Sequence, residues 1–376
     1  MRMRPSNRCL AATLLLLLCT TTAHAQPRLA TWRATELWRV DGTDAGDGFG
    51  DIRDIVVLKD GSAWILDAKD QHIRRYDGNG KPLATIARKG SGPGELQKPN
   101  GMVMRGDATV WVNDQPNSRF SVFGADGRFV HQYLLSITSR GYRWGAWIDR
   151  PTGHLMDPML QSRSGKSVSV WRRITAAGQD AGIVEIPSCG APEYTATSWQ
   201  AETKGKGMLA STYPFMSGGG LAPTGEGTAW CASPRSRNVV LVRIGKNDTV
   251  SRTPLDIPPV PVGAVERDSA ITRAATQARA YATTTFDAAR VPRTKPGVAS
   301  LHVDEDGRLW VQHGRKFGER STTYDIHDTR GAHLGRVVVP FAVVDYLPVR
   351  ARGNDAWVPA KDEDDVVSIV RMRLAR

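Results

Sequence analysis

Apolar and polar residues alternate over short runs along most of this chain, and the runs end on Asp-Gly or other Gly-containing turns. Such period-two runs, bounded by turn residues, predict strands joined as hairpins. The first set is Ile52 to Lys59, Ala63 to Asp67, His72 to Tyr76 and Pro82 to Ala87, with turns at Asp60-Gly61 and Asp77 to Gly80. The second is Gly101 to Arg105, Thr109 to Asn113, Arg119 to Phe123 and Phe129 to Leu135. Later sets are less regular. Their outer strands are expected at Val168 to Thr175 and Gly182 to Ile186, Val239 to Ile244 and Val250 to Ile257, and Thr322 to Ile326 and Leu334 to Val339. A last set begins at Ala342 and continues through Asn354 to Pro359 and Val366 to Leu374.

A tryptophan marks the second strand of nearly every set: Trp64, Trp111, Trp230, Trp310 and Trp357, with Leu155 in the same slot of the third. Successive anchors lie 47, 44, 75, 80 and 47 residues apart. A period in the mid-forties built from four short strands is that of a β-propeller blade. The expected fold is therefore all-β, a six-bladed β-propeller spanning 26–376. The last set is one strand short at the C-terminus, and Thr35 to Val40 stands unassigned at the other end. That N-terminal strand is expected to complete blade six and close the ring.

Two segments break the period, 188–214 and 258–296. The second carries Ile271, Ala274, Ala275, Ala278 and Tyr281 at helical spacing, which predicts a short amphipathic helix between blades four and five. Both interruptions join an outer strand to the next inner strand, so both fall on one face of a propeller.

Residues 1–25 have a basic start (Arg2, Arg4, Arg8), an apolar run from Leu10 to Cys19 too short to span a bilayer, and a small-residue ending at Ala23-His24-Ala25. This is the pattern of a signal peptide, with the mature chain expected from Gln26 and located in the periplasm or secreted. Cys19 follows Leu18, whereas a lipid-attachment cysteine follows a small residue. No later stretch predicts a transmembrane segment. The full chain carries a formal charge of +12, and removing three arginines leaves +9. This favours an anionic partner. No basic run of five or more points to nucleic acid. Cys189 and Cys231 remain after cleavage, and an oxidising compartment permits a disulfide between them, the alternative being free buried thiols.

The stretches KGSGPGELQKPNGMVM and VWVNDQPNSRFSVFGADGRFV resemble the NHL-repeat and related six-bladed propellers of exported bacterial proteins. The resemblance is strongest over residues 48 to 135. It implies the fold; for function it implies a group that includes binding scaffolds, lyases and lactonases.

Candidate chemistry is expected on the face that bears the insertions, because loops carry function on a rigid scaffold. The starts of inner strands place Arg53, Asp54 and Asn100 there. The loop SRGYRWGAW adds Arg140, Tyr142, Arg143 and Trp144. Strand ends add Asp67, Asp114 and His313, and the second insertion adds Arg290, Arg293 and Lys295. Arginine beside tyrosine or tryptophan suits carboxylate, phosphate or sugar recognition. The ligand-binding set is Arg53, Asp54, Asn100, Arg140, Tyr142, Arg143, Trp144 and His313. A divalent cation such as calcium would sit at Asp54 and Asn100, but the aligned positions in the other blades are poor ligands, so no cofactor is expected. The leading expectation is a monomeric binding scaffold for a small-molecule or protein ligand, with the 258–296 insertion as a partial lid. The alternative is a metal-dependent lyase or lactone hydrolase at the channel mouth.

Overall fold

The computed structural model describes residues 30–376 apart from 47, 107–108, 136–143, 164–165, 190–196, 203–207, 235, 247 and 282. Residues 1–25, where a signal peptide is expected, and Arg140, Tyr142 and Arg143 lie outside the described residues. Four antiparallel sheets of four strands follow one another along the chain. The first comprises Ile52–Val57, Ala63–Asp67, His72–Tyr76 and Pro82–Ile86. The second comprises Gly101–Met104, Thr109–Asp114, Arg119–Gly124 and Phe129–Leu134. The third has Trp147–Asp149, His154–Arg163, Lys166–Ile174 and Asp180–Glu185. The fourth has Gly220–Pro223, Thr228–Ala232, Asn238–Arg243 and Thr249–Pro254.

The last two sets run together. Val298–Val303, Leu309–His313, Thr322–His327 and His333–Val339 make the fifth sheet. In the sixth, Arg350–Arg352, Asp355–Lys361 and Val367–Ala375 are completed by the N-terminal strand Thr31–Val40. That strand pairs antiparallel with the C-terminal one, from Arg33 opposite Ala375 to Val40 opposite Ile369. Its first residues, Thr31 and Trp32, lie parallel to Arg336 and Val337 of the fifth sheet. The fifth and sixth sheets are thereby one continuous sheet, where the repeat alone predicts two separate ones.

The anchors explain the repeat. Trp64, Trp111, Trp230, Trp310 and Trp357 are all buried to 2% exposure or less. Each shares a core with the sheet that follows it. Trp64 lies with Met102 and Val110, Trp111 with Leu155, and Trp230 with Leu301 and Val311. Trp310 lies with Val349 and Val358, and Trp357 lies with Ile55 and Ile65 of the first sheet. A large flat ring on the second strand fills the wedge between two splayed sheets, and truncating such a ring costs about 3–5 kcal/mol.

Leu155 occupies the anchor slot of the third sheet and is fully buried, but its core faces back to the second sheet. The junction from third to fourth sheet uses other means. Cys189, just past the last strand of the third, is bonded to Cys231 in the fourth, with Cα atoms 5.1 Å apart. Arg150 also donates to the Thr224 carbonyl at 2.9 Å. A covalent link stands where the tryptophan does not.

Asp54 ties three sheets together. It is 1% exposed. Its Oδ1 accepts from the Ile55 N–H at 2.9 Å and from Arg350 Nη2, in the sixth sheet, at 3.2 Å. Its Oδ2 accepts from the Met102 N–H of the second sheet at 3.1 Å. Arg350 and Arg352 also donate to the carbonyls of Ile55 and Leu58, each at 2.9 Å. Gly101 is required beside this contact, since a Cβ there would lie 2.7 Å from Trp144 Cβ.

The two insertions fold together, which the sequence does not suggest. Ser198–Glu202 from the first pairs with Met208–Thr212 and with Thr283–Thr284 of the second. The predicted helix is present as Ala264–Arg279 and buries Glu266, Ala270, Ala274 and Ala278. Ile271 and Tyr281 pack at the edge of a small core of Trp199, Ala201, Tyr213, Ala278 and Val291. A short ladder, Val260–Pro261 with Thr294–Lys295, clips the ends of this cap together.

Two stability predictions follow from these links. Asp54→Ala should lower the unfolding free energy by about 3 kcal/mol, because it strands Arg350 and a buried N–H at once. Urea denaturation checks this, and a loss of only a few tenths would contradict the tie. Replacing Cys189 and Cys231 together by serine should cost about 2–4 kcal/mol in the same assay.

Candidate functional site

Two cavities open on the face that carries the cap. The first encloses about 760 Å³ between the entry loops of the first and second sheets and the edge of the sixth. Arg53, Lys69, Gln71, Lys98, Asn100 and Tyr346 contribute to its wall. Buried aspartates shape it. Asp67, at the end of the first sheet's second strand, accepts from the N–H groups of Gly50, Asp51 and Lys69. Asp114 does the same work in the second sheet, accepting from the Gln97 N–H at 2.8 Å, Asn117 Nδ2 at 2.8 Å and Arg119 Nε at 2.9 Å. Burial pushes the Asp114 carboxyl up, against the hydrogen bonds that pull it down. Both aspartates fasten an entry loop to a neighbouring turn and are fully buried.

The charge in this cavity is positive. Arg53 is paired with Asp51, at 2.8 and 2.6 Å. Lys69 and Lys98 are exposed and make no ion pair among the described residues. The Lys69 stem lies on Gly50, where an added Cβ would sit 2.3 Å from its Cδ. Lys98 and Gln71 have left-handed backbones, with φ of 46° and 59°, and the Lys98 N–H donates to Gln71 Oε1 at 3.4 Å. Backbone held in that region by its surroundings is common at ligand sites.

The second cavity, of about 740 Å³, lies beneath the cap and against the fifth and sixth sheets. His313, Glu266, Lys295, Arg315, Asp345 and Phe317 are among its wall residues. His313 takes the strand-end position that Asp67 and Asp114 occupy elsewhere, and its role differs. Its Nε2 meets Asp325 Oδ2 at 2.9 Å. Asp325 also accepts from Arg336 Nε at 2.7 Å and Nη2 at 3.0 Å. Burial would raise the Asp325 carboxyl, but the bonds from His313 and Arg336 and their charge hold it well below the usual carboxylate range. A third cavity, about 670 Å³, opens on the opposite face. Its arginines, Arg105, Arg150, Arg350 and Arg352, each donate to a backbone carbonyl of the neighbouring sheet.

The residues singled out in the sequence therefore divide. Arg53 and Asn100 meet in the first cavity, and His313 lines the second. Asp54 lies inside the protein with both carboxylate oxygens taken by N–H donors, so the Asp54–Asn100 pair makes a poor cation site. Among the described residues no three His, Cys, Asp or Glu side chains group as metal ligands. Trp144 is also interior. It stacks on Phe120 at 5.2 Å and donates from Nε1 to Asp157 Oδ1 at 2.7 Å. In the cap, Arg290 lies over the Tyr213 ring and Lys295 pairs with Glu266. Lys69, Lys98, Glu266 and Asp325 are the wall and support residues that sequence reasoning missed. Lys98 alone had a signal, two positions before Asn100 in the entry loop.

No family model matches the sequence, and no curated protein matches it. Solved structures do. A "Putative exported protein" from Bacteroides fragilis superposes with a TM-score of 0.51 at 10% identity, over 92% of this chain and 96% of that one. Virginiamycin B lyase from Staphylococcus aureus gives 0.46 at 12%, over 91% and 99%. The PQQ-bound aldose sugar dehydrogenase from Streptomyces coelicolor gives 0.45 at 13%, over 92% and 99%. The neighbours are propeller-type proteins, and the likeness is one of fold. With its strand sheets and buried anchors, the chain is of the β-propeller type. The Cys189–Cys231 disulfide agrees with an oxidising compartment, and no helix among the described residues is long and apolar enough to cross a membrane.

The depressed Asp325 carboxyl gives a pH test. A group whose pKa falls on folding stabilises the native state above its unfolded value, near 3.8, and loses that contribution as pH falls through the folded value. Asp325→Asn should therefore lower the urea midpoint at neutral pH. The gap to the parent protein should shrink steadily in titrations taken below about pH 4.

Proposed function

We propose that this chain is an exported, monomeric, closed six-bladed propeller that binds an anionic ligand on its insertion-bearing face. The observation that carries the reading is the charge of the first cavity. Arg53, Lys69 and Lys98 face Asp51 alone among the described charged residues lining it. Asp51 already engages Arg53, so the two lysines are left to meet a ligand's carboxylate or phosphate groups. Asn100 and Tyr346 supply polar and aromatic wall beside them, as in most small-molecule sites. The pairing of Thr31–Val40 with the C-terminal strand supports this reading, because the sixth, first and second sheets all contribute to the wall. The signal-peptide pattern of residues 1–25 and the disulfide support a periplasmic or secreted location. The metal-dependent enzyme reading draws no support from Asp54, whose oxygens serve the fold.

The test is isothermal titration calorimetry of the purified protein with citrate, inorganic phosphate, glucose 6-phosphate and oligogalacturonate. At least one should bind, with an affinity that falls as salt rises. Lys69→Glu with Lys98→Glu should weaken it at least tenfold while leaving the melting temperature within a degree or two, since both side chains are exposed. Binding of none, or binding indifferent to both reversals, would remove this cavity from consideration.

A further inference from the structure

The cavity beneath the cap has a different chemistry. Eight of its charged groups are joined in four pairs: Arg315 with Asp345 at 3.3 Å, Arg320 with Glu363 at 2.9 Å, Lys361 with Asp365 at 2.8 Å and Lys295 with Glu266 at 2.7 Å. Lys316, Glu319 and Asp362 stand exposed at its edge without an ion pair among the described residues. A charged ligand held among the paired groups would have to break one of these pairs. What the cavity has in surplus is a buried hydrogen-bond acceptor. Glu266 is 8% exposed, and while its Oε1 accepts from Lys295, its Oε2 is buried with no hydrogen-bond partner among the described residues. A buried acceptor of this kind calls for a donor. On a second wall residue, His313, Nε2 is already engaged by Asp325 Oδ2 at 2.9 Å.

The rim adds an apolar surface. Phe317 is 70% exposed on the loop that follows His313, and Phe215, just past the first insertion, lines the same space. An exposed phenyl ring beside a buried acceptor, among charges that are mostly paired, matches a molecule with hydroxyl donors on its edges and C–H groups on its face.

We propose that the cavity beneath the cap is a binding site for a neutral carbohydrate. A hydroxyl of a sugar ring donates to Glu266 Oε2, and the ring's C–H face rests on Phe317. Lys295 positions that acceptor without touching the ligand. The site is separate from the anion-binding cavity and does not depend on it.

Calorimetry with cellohexaose, chitohexaose and maltohexaose, each beside its monosaccharide, tests this on the full mature chain, with citrate and spermidine as charged probes. The expected result is binding of at least one neutral sugar with an affinity that salt barely changes. Phe317→Ala, at an exposed position, should weaken it at least fivefold, and Glu266→Gln at least tenfold. Lys69→Glu with Lys98→Glu should leave it unchanged. A preference for the hexamer identifies a glycan chain as the ligand's source, and equal affinity for the monosaccharide identifies a free sugar. The proposal is overturned if no neutral sugar binds at millimolar concentration, if Phe317→Ala has no effect on binding, or if only citrate or spermidine occupies the site. Phe317→Ala keeps the test decisive even where Glu266→Gln disturbs the pair with Lys295.

Discussion

The fold depends on joining its two ends. A strand at the start of the described chain, Thr31–Val40, lies antiparallel to the strand at its finish, Val367–Ala375. Nothing local holds such a pair, so its formation bears the loop entropy of nearly the whole chain. Side chains then secure it: Trp357 of the sixth sheet shares a core with Ile55 and Ile65 of the first, and Arg350 reaches Asp54. Asp54 in turn holds the N–H of Met102, one sheet further on. The registry of three consecutive sheets thus rests on one buried carboxylate and one long-range strand pair. The first cavity is built from those same three sheets, so its shape is only as well defined as this closure.

Two cavities of similar size share a face and differ in chemistry. One has cations to spare, and the other has mostly paired charges with a buried acceptor to spare. They are separated by a loop of the sixth sheet whose adjacent residues divide between them, Asp345 lining one and Tyr346 the other. The cap covers only the second. Because the cap is made from both insertions and clipped at its base by Val260–Pro261 and Thr294–Lys295, it behaves as one small layer with its own core.

Much of the fold was legible because its determinants are local and repeated. The anchor tryptophans, the Asp-Gly turns and the helix at Ala264–Arg279 all announce themselves in short windows of sequence. Leu155 could be placed in the anchor slot from spacing, and its complete burial agrees. The disulfide was legible from compartment and count. The assembly of the cap was not, since pairing Ala201 with Thr284 is a contact across 83 residues with no periodicity to mark it. The site was harder still. Asp54 at the start of an inner strand looks like a ligand in sequence, and only its three N–H donors reveal a structural tie. Trp144 has the composition of a recognition residue, yet its indole is stacked in the core and bonded to Asp157. His313 was found by alignment to Asp67 and Asp114, and its different role became visible only with Asp325 beside it.

Native-state hydrogen exchange tests the central dependence most directly. If the ends close the fold, amides of Arg33 to Val40 should exchange as slowly as those of the second strands that carry Trp64 and Trp111, through the same global opening. Fast exchange of the N-terminal strand, with the rest of the protein still protected, would show that the sheets stand without their closure and would contradict the account.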